Sequence, residues 1–138
     1  MLRYIYIIIM LLVAGCQTPR QEQRLNVDRE RKNPEDYVRF LDRDLESKIK
    51  IVSVFDIVDV GLKVFQLNIR QESYEPFWIE YQIVFYTEDN VETEKTFWRP
   101  TLLIPKQDIG ITGRATLPTS KKFIVYIRNY TGQPTPVR

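Results

Sequence analysis

A chain of 138 residues, 43% apolar and 28% charged, has the composition of one globular domain and is too apolar to remain unfolded. Its formal charge of +2 supplies no concentrated cationic surface for nucleic acid. Histidine is absent and cysteine occurs once. Cys/His zinc sites, Ser-His-Asp triads, Cys-His nucleophilic pairs and intrachain disulfides are therefore excluded, and no cofactor is expected.

The first residues read as a processing signal. Arg3 supplies a positive charge, and Tyr4 through Val13 are almost wholly apolar. That run is about half of the ~20 residues needed to cross a bilayer and has the length of a signal-peptide core. Val13-Ala14-Gly15-Cys16 follows and resembles the lipobox of bacterial lipoproteins. Small residues before the cysteine suit a narrow peptidase cleft, and the thiol of Cys16 is the nucleophile that accepts a diacylglyceryl group. Two or more acyl chains give stable anchoring where one is marginal. The competing reading is an uncleaved N-terminal helix with an incidental cysteine. Gln17, standing where an Asp would favour retention in the inner membrane, directs the expectation to the outer membrane. Loss of Arg3 with the signal reduces the 20 basic side chains to 19, against 18 acidic ones.

From Gln17 to about Lys32 the chain is polar and charged, the pattern of a solvated tether. Asn33-Pro34-Glu35-Asp36 then has the order of a helix start: cap, proline at the first position, acids in the first turn. Tyr37, Phe40, Leu41 and Leu45 fall on one helical face, which predicts a short helix to about Ser47. The boundaries expected are a signal peptide over 1–15, lipidated cysteine and tether over 16–33, a domain over 34–130 and a frayed tail over 131–138.

After Ile49 the pattern is that of strands. Ile49–Phe55 is a β-branched run, and Gly61–Ile69 is a second, whose alternation slips between Val64 and Phe65 and predicts a β-bulge there. Phe77, Ile79, Tyr81, Ile83 and Phe85 alternate with Trp78, Glu80, Gln82, Val84 and Tyr86, giving a core face and a half-wet face. Thr87-Glu88-Asp89-Asn90 is a turn by composition, and Val91–Trp98 alternates again. Thr101–Ile104 lies between Pro100 and Pro105, and alternating segments follow around Ile109–Ala115 and Phe123–Arg128. About seven short strands separated by turns predict a mainly β fold, an immunoglobulin-like antiparallel β-sandwich preceded by a short helix and a disordered tether.

Several of these blocks, in this order, resemble the YcfL-like bacterial lipoproteins: Leu67-Asn68-Ile69, Tyr81-Gln82-Ile83-Val84-Phe85-Tyr86, Trp98 before a proline-flanked strand, Ile104-Pro105-Lys106-Gln107, Ala115-Thr116-Leu117-Pro118 and Phe123–Arg128. The resemblance covers about residues 49–128. It implies a lipid-anchored β-sandwich without an established activity, and a gene neighbourhood that suggests a role accessory to the cell wall. The sequence departs from the family in its acidic turn, Glu88-Asp89-Asn90, where an Asp-Gly type of turn is usual.

Carboxylates are the strong acid–base groups that remain. Glu80 lies within a strand, and Glu88, Asp89, Glu92 and Glu94 cluster around a turn. A glycosidase would need one of them in an apolar or like-charged pocket, and the spacing supplies none. They read as a solvated turn and strand face, and Asp56 and Asp59 read as strand-end groups rather than metal ligands. Asn68, in an otherwise apolar strand, is expected to be a buried amide bonding the open backbone of a bulge or connection. Arg128 reads as a surface charge.

The partner-binding candidates are Trp78, Tyr86, Trp98 and Arg99, with Tyr126 nearby: an aromatic and cationic surface on the outer face of a sheet. Cover by the Tyr37–Leu45 helix is the alternative for that face. The function expected is a non-catalytic binding or scaffold module on the cell envelope, held by Cys16 and facing the periplasm, with an envelope protein as partner. A carboxylate-dependent peptidoglycan-processing enzyme and a surface-exposed lipoprotein contacting host or phage are the alternatives.

Overall fold

The computed structural model describes residues 33–132. The expected signal peptide, Cys16, the expected tether to Lys32 and the expected tail beyond Gly132 lie outside the described residues.

Eight strands form two sheets: β1 (Val38–Phe40), β2 (Ile49–Asp59), β3 (Leu62–Gln71), β4 (Phe77–Tyr86), β5 (Glu92–Lys95), β6 (Arg99–Leu103), β7 (Asp108–Arg114) and β8 (Lys122–Asn129). The first sheet has the order β1-β8-β4, with β5 and β6 sharing the far edge of β4, and the second has the order β2-β3-β7. All pairs are antiparallel except β1 with β8. The result is the predicted two-sheet β-sandwich with one strand more than expected.

The alternation of β3, β4, β7 and β8 aims one face of each strand inward. Phe65, Leu67 and Ile69 meet Ile79, Ile83 and Phe85 across the sandwich, with Ile111, Phe123, Val125 and Ile127 completing the core. The Phe65 and Phe123 rings stack at 3.8 Å, and Tyr37 lies on the other side of Phe123 at 4.8 Å. Phe65 reaches this position because its opposite number on β7 is Gly113. A Cβ there would stand 2.4 Å from the Phe65 ring, so the glycine supplies the space for the aromatic stack.

The predicted helix from Pro34 to Ser47 is corrected. Asn33 does cap a start, accepting the Glu35 N–H at 3.5 Å, but only one 3-10 turn follows, over Pro34–Tyr37. Val38–Phe40 then joins β8 as a parallel strand, and a six-residue helix, α1 (Arg43–Lys48), comes after it. Pairing with Val125–Ile127 and burial of Val38 outweigh a helical periodicity too short to hold a helix by itself. Leu41, expected on the packed face, is 53% exposed, whereas Leu45 is fully buried. Asp42 accepts the Asn129 N–H at 2.7 Å, and Asp44 accepts from the Asn129 amide at 3.1 Å, so α1 is tied to the end of β8.

The bulge is also relocated. Val64 and Phe65 pair without interruption with Ile57 and Asp56, and the register shifts instead between Ile51 and Ser53, making Val52 the extra residue. The slip in alternation at Val64 has a different cause. Val64 lies opposite Ile57 on the outward face of a hairpin that carries apolar residues on both sides.

Candidate functional site

The outer face of β4 divides into three parts. At its first end Trp78 lies opposite Leu102 of β6, and the Tyr130 N–H bonds the Trp78 carbonyl at 3.4 Å. The Trp78 and Tyr130 rings are 6.0 Å apart. All three side chains are substantially exposed: Trp78 51%, Tyr130 48% and Leu102 37%. They form an apolar surface centred on β4, which is held on both sides by β6 and β8 and gives a rigid base for a contact patch. The helix does not cover it, because α1 packs on β1 and β2.

In the middle, Glu80 is buried at 3% exposure and accepts from Arg128 Nε at 2.8 Å. The Arg128 guanidinium carbon lies 4.0 Å from the centre of the Trp98 ring. Cation and aromatic attract through the ring's negative face, and the stack also covers the ion pair. Glu80 is thus an enclosed carboxylate committed to an ion pair with Arg128. Arg128, expected as a surface charge, is the cation of the cluster.

At the far end the hydroxyls of Tyr86 and Tyr126 are 3.0 Å apart. Burial first, then the hydrogen bond and charge of Tyr126, push the Tyr86 phenol up to about 12. Trp78 and Tyr86 are separated by eight residues of strand, roughly 27 Å. They therefore belong to different patches. Arg99 lies opposite Tyr81, on the other side of β4 from Trp78, and is exposed. Trp98 and Trp78 share the outer face, and Arg128 rather than Arg99 sits against the Trp98 ring.

Glu94 departs from the solvated face expected of it. Its carboxylate accepts from the Thr116 N–H at 2.9 Å, the Leu117 N–H at 3.2 Å and the Ser120 hydroxyl at 2.8 Å. Burial raises its pKa, but the hydrogen bonds from Thr116, Ser120 and the Leu117 backbone prevail and hold it below the ordinary glutamate value. This residue pins the loop that carries the chain from β7 in one sheet to β8 in the other. Its bonding makes it structural.

Asn68 is half-exposed on the outer face of the second sheet, not buried as expected. Its amide donates to the Ser53 hydroxyl at 2.8 Å and accepts from Gln66 at 3.0 Å. It stands directly opposite Ser53, beside the bulge, but bonds a side chain there. Asp56 pairs with Lys63, and Asp59 with Arg114 at 2.8 Å. Among the described residues no group of three acidic or cysteine side chains could hold a metal ion.

A groove of about 780 Å³ lies where the described chain begins, between β1 and the start of β2, lined by Pro34, Val38, Phe40, Ile49 and Ile51 among others. It is remote from Trp78 in the sheet order, since β8 intervenes between β1 and β4.

Three of the outer-face residues escape sequence reasoning: Leu102, Tyr130 and Arg128 as a stacking partner. Tyr130 continues the alternation Ile124, Tyr126, Arg128 and could have been found by extending it. The other two depend on which strands flank β4 in space.

No family model matches the chain, and no curated protein does. Among solved structures, Campylobacter jejuni cj0090 superposes with a TM-score of 0.54 at 12% identity, over 68% of this chain and 98% of that one. A DUF1425 family member from Shewanella sp. pv-4 superposes with a TM-score of 0.55 at 17% identity, over 62% of this chain and 81% of that one. At these identities the likeness is one of architecture, and the chain shares the β-sandwich fold of cj0090 and of this DUF1425 protein.

Proposed function

We propose that the protein is a distant YcfL-like lipoprotein: a non-catalytic binding module tethered through Cys16 to the periplasmic face of the outer membrane. Its partner is an envelope protein, contacted through the Trp78–Leu102–Tyr130 surface, and the role is accessory to the cell-wall machinery. The observation that carries this reading is the exposure of these three apolar side chains together, on and beside β4, a strand held from both sides. Exposed aromatic anchors on a rigid base are the usual source of binding energy in protein interfaces.

The state of the carboxylates supports binding over peptidoglycan hydrolysis. Glu80 is ion-paired beneath Trp98 and Arg128, and Glu94 is saturated by hydrogen bonds from one loop. The anchor is supported by the lipobox around Cys16.

A photo-crosslinking residue at Trp78, in the intact cell, tests the contact. It should yield a discrete protein adduct that Tyr130→Ala removes, while the purified mature protein releases no muropeptides from sacculi. Muropeptide release that disappears in Glu80→Gln would replace the binding reading with the enzymatic one. Palmitate labelling should vanish in Cys16→Ala.

A further inference from the structure

The β2–β3 hairpin has a tip that folding alone does not account for. Asp59 pairs with Leu62, leaving Val60 and Gly61 as a two-residue loop with φ of 49° and 76°. Two positive φ values make this a type I′ turn, whose first central position ordinarily holds Asn, Asp or Gly. A β-branched residue there is strained, because its Cβ crowds the backbone in the left-handed region. The valine is nevertheless present, and it is 88% exposed.

Its neighbours extend the apolar surface. Val58 is 64% exposed, Phe55 52% and Ile57 44%. The register puts Phe55 and Ile57 on one side of the hairpin and Val58 on the other, so the tip is apolar on both sides. The charges among them are neutralised. Asp56 pairs with Lys63, and Asp59 with Arg114. A tip with no unpaired charge and an apolar residue kept against backbone strain is fitted to leave water.

We infer that the Phe55–Val60 tip inserts into the interfacial layer of the bilayer that holds the protein, giving the tethered domain a second, weaker point of attachment. This rests on the anchored reading above. Paired charges lower the cost of entering a medium of low dielectric, and an exposed valine and phenylalanine gain from doing so. The tether permits it. The chain enters the described domain at Asn33, beside Ile49 and Ile51, and the tip stands about 30 Å further along β2. Some 16 residues between Cys16 and Asn33 reach about 50 Å at full extension, enough for the tip to turn back to the same surface. In that pose the hairpin limits how the domain can rotate about its anchor.

The test uses the lipidated mature protein in vesicles of phosphatidylethanolamine and phosphatidylglycerol. With the Cys16 thiol carrying lipid, Val58→Cys provides a unique site for an environment-sensitive fluorophore. Gln107→Cys, beyond the Arg70–Asp108 pair at the opposite end of the sheet, is the control. The label at 58 should shift to the blue and lose most of its emission to nitroxide-bearing lipids, while the label at 107 keeps its emission. Adding Val60→Asn, which suits the turn and leaves the fold intact, should raise Tm and restore most of the emission at 58. Equal, water-like emission from both positions on protein-bearing vesicles would overturn the insertion and leave the anchored binding module standing. Protein that washes off the vesicles altogether would overturn both.

Discussion

The two hairpins of the sandwich end in opposite ways. Between β4 and β5 the turn is polar and saturated: Asn90 donates to the Thr87 carbonyl at 3.1 Å, Val91 to the Thr87 hydroxyl at 3.2 Å, and Lys122 reaches the Glu88 carbonyl and the Asn90 side chain. Its positive φ, 62°, falls on asparagine, which tolerates it. Between β2 and β3 the positive φ falls on valine, and the surrounding exposed residues are apolar. One turn is built to close a chain. The other gives up some stability for a side chain that contributes little to the fold, and such a residue points to a contact outside the molecule.

Substitutions probe this contrast, and the largest effects belong to the packed body of the sandwich rather than to either turn. Glu80→Ala removes the partner of a half-buried guanidinium and should cost about 3 kcal/mol in urea unfolding. Gly113→Ala, against the Phe65 ring on which both sheets close, should cost about 2 kcal/mol. Glu94→Gln should cost about 2 kcal/mol at neutral pH by weakening the charged acceptor of the β7–β8 loop.

The same residue gives a pH dependence of known sign. The folded carboxyl has a lowered pKa, so its contribution is present in full above the unfolded value. It declines as the pH falls below the ordinary glutamate value of 4.5 and through the lower folded one. An acid titration of Tm should therefore be shallower below that point in Glu94→Gln than in the parent.

Exchanging the turn residues is the direct test of the contrast. Asn90→Val should destabilise by about 1–2 kcal/mol, and Val60→Asn should stabilise by about 1 kcal/mol. A loss of stability in Val60→Asn would mean that the valine serves the fold after all. Trp78→Ala should cost about 1 kcal/mol or less, because the ring is half exposed and its neighbours in the fold are Tyr130 and Leu102.

The strands were legible where burial on one face imposes a period of two, as in Phe77–Phe85 and Phe123–Ile127. β1 was not, because three residues carry no period of their own and Val38–Phe40 becomes a strand only beside β8. The candidate surface was legible in its tryptophans. The stacking of Trp98 on Arg128 was not, since it depends on β8 and the residue before β6 lying on either side of β4. Val64 carries the sharpest lesson: its broken alternation was a true signal, but of an apolar outward face rather than a bulge.

Photo-crosslinking residues placed one at a time at Trp78, Val60 and Gln107 in living cells test both surfaces at once. The prediction is a discrete protein adduct from 78, a lipid adduct from 60 and neither from 107. A lipid adduct from 78 with a protein adduct from 60 would reverse the assignment of the two surfaces. Adducts from none of the three would contradict the view of this domain as a tethered binding module.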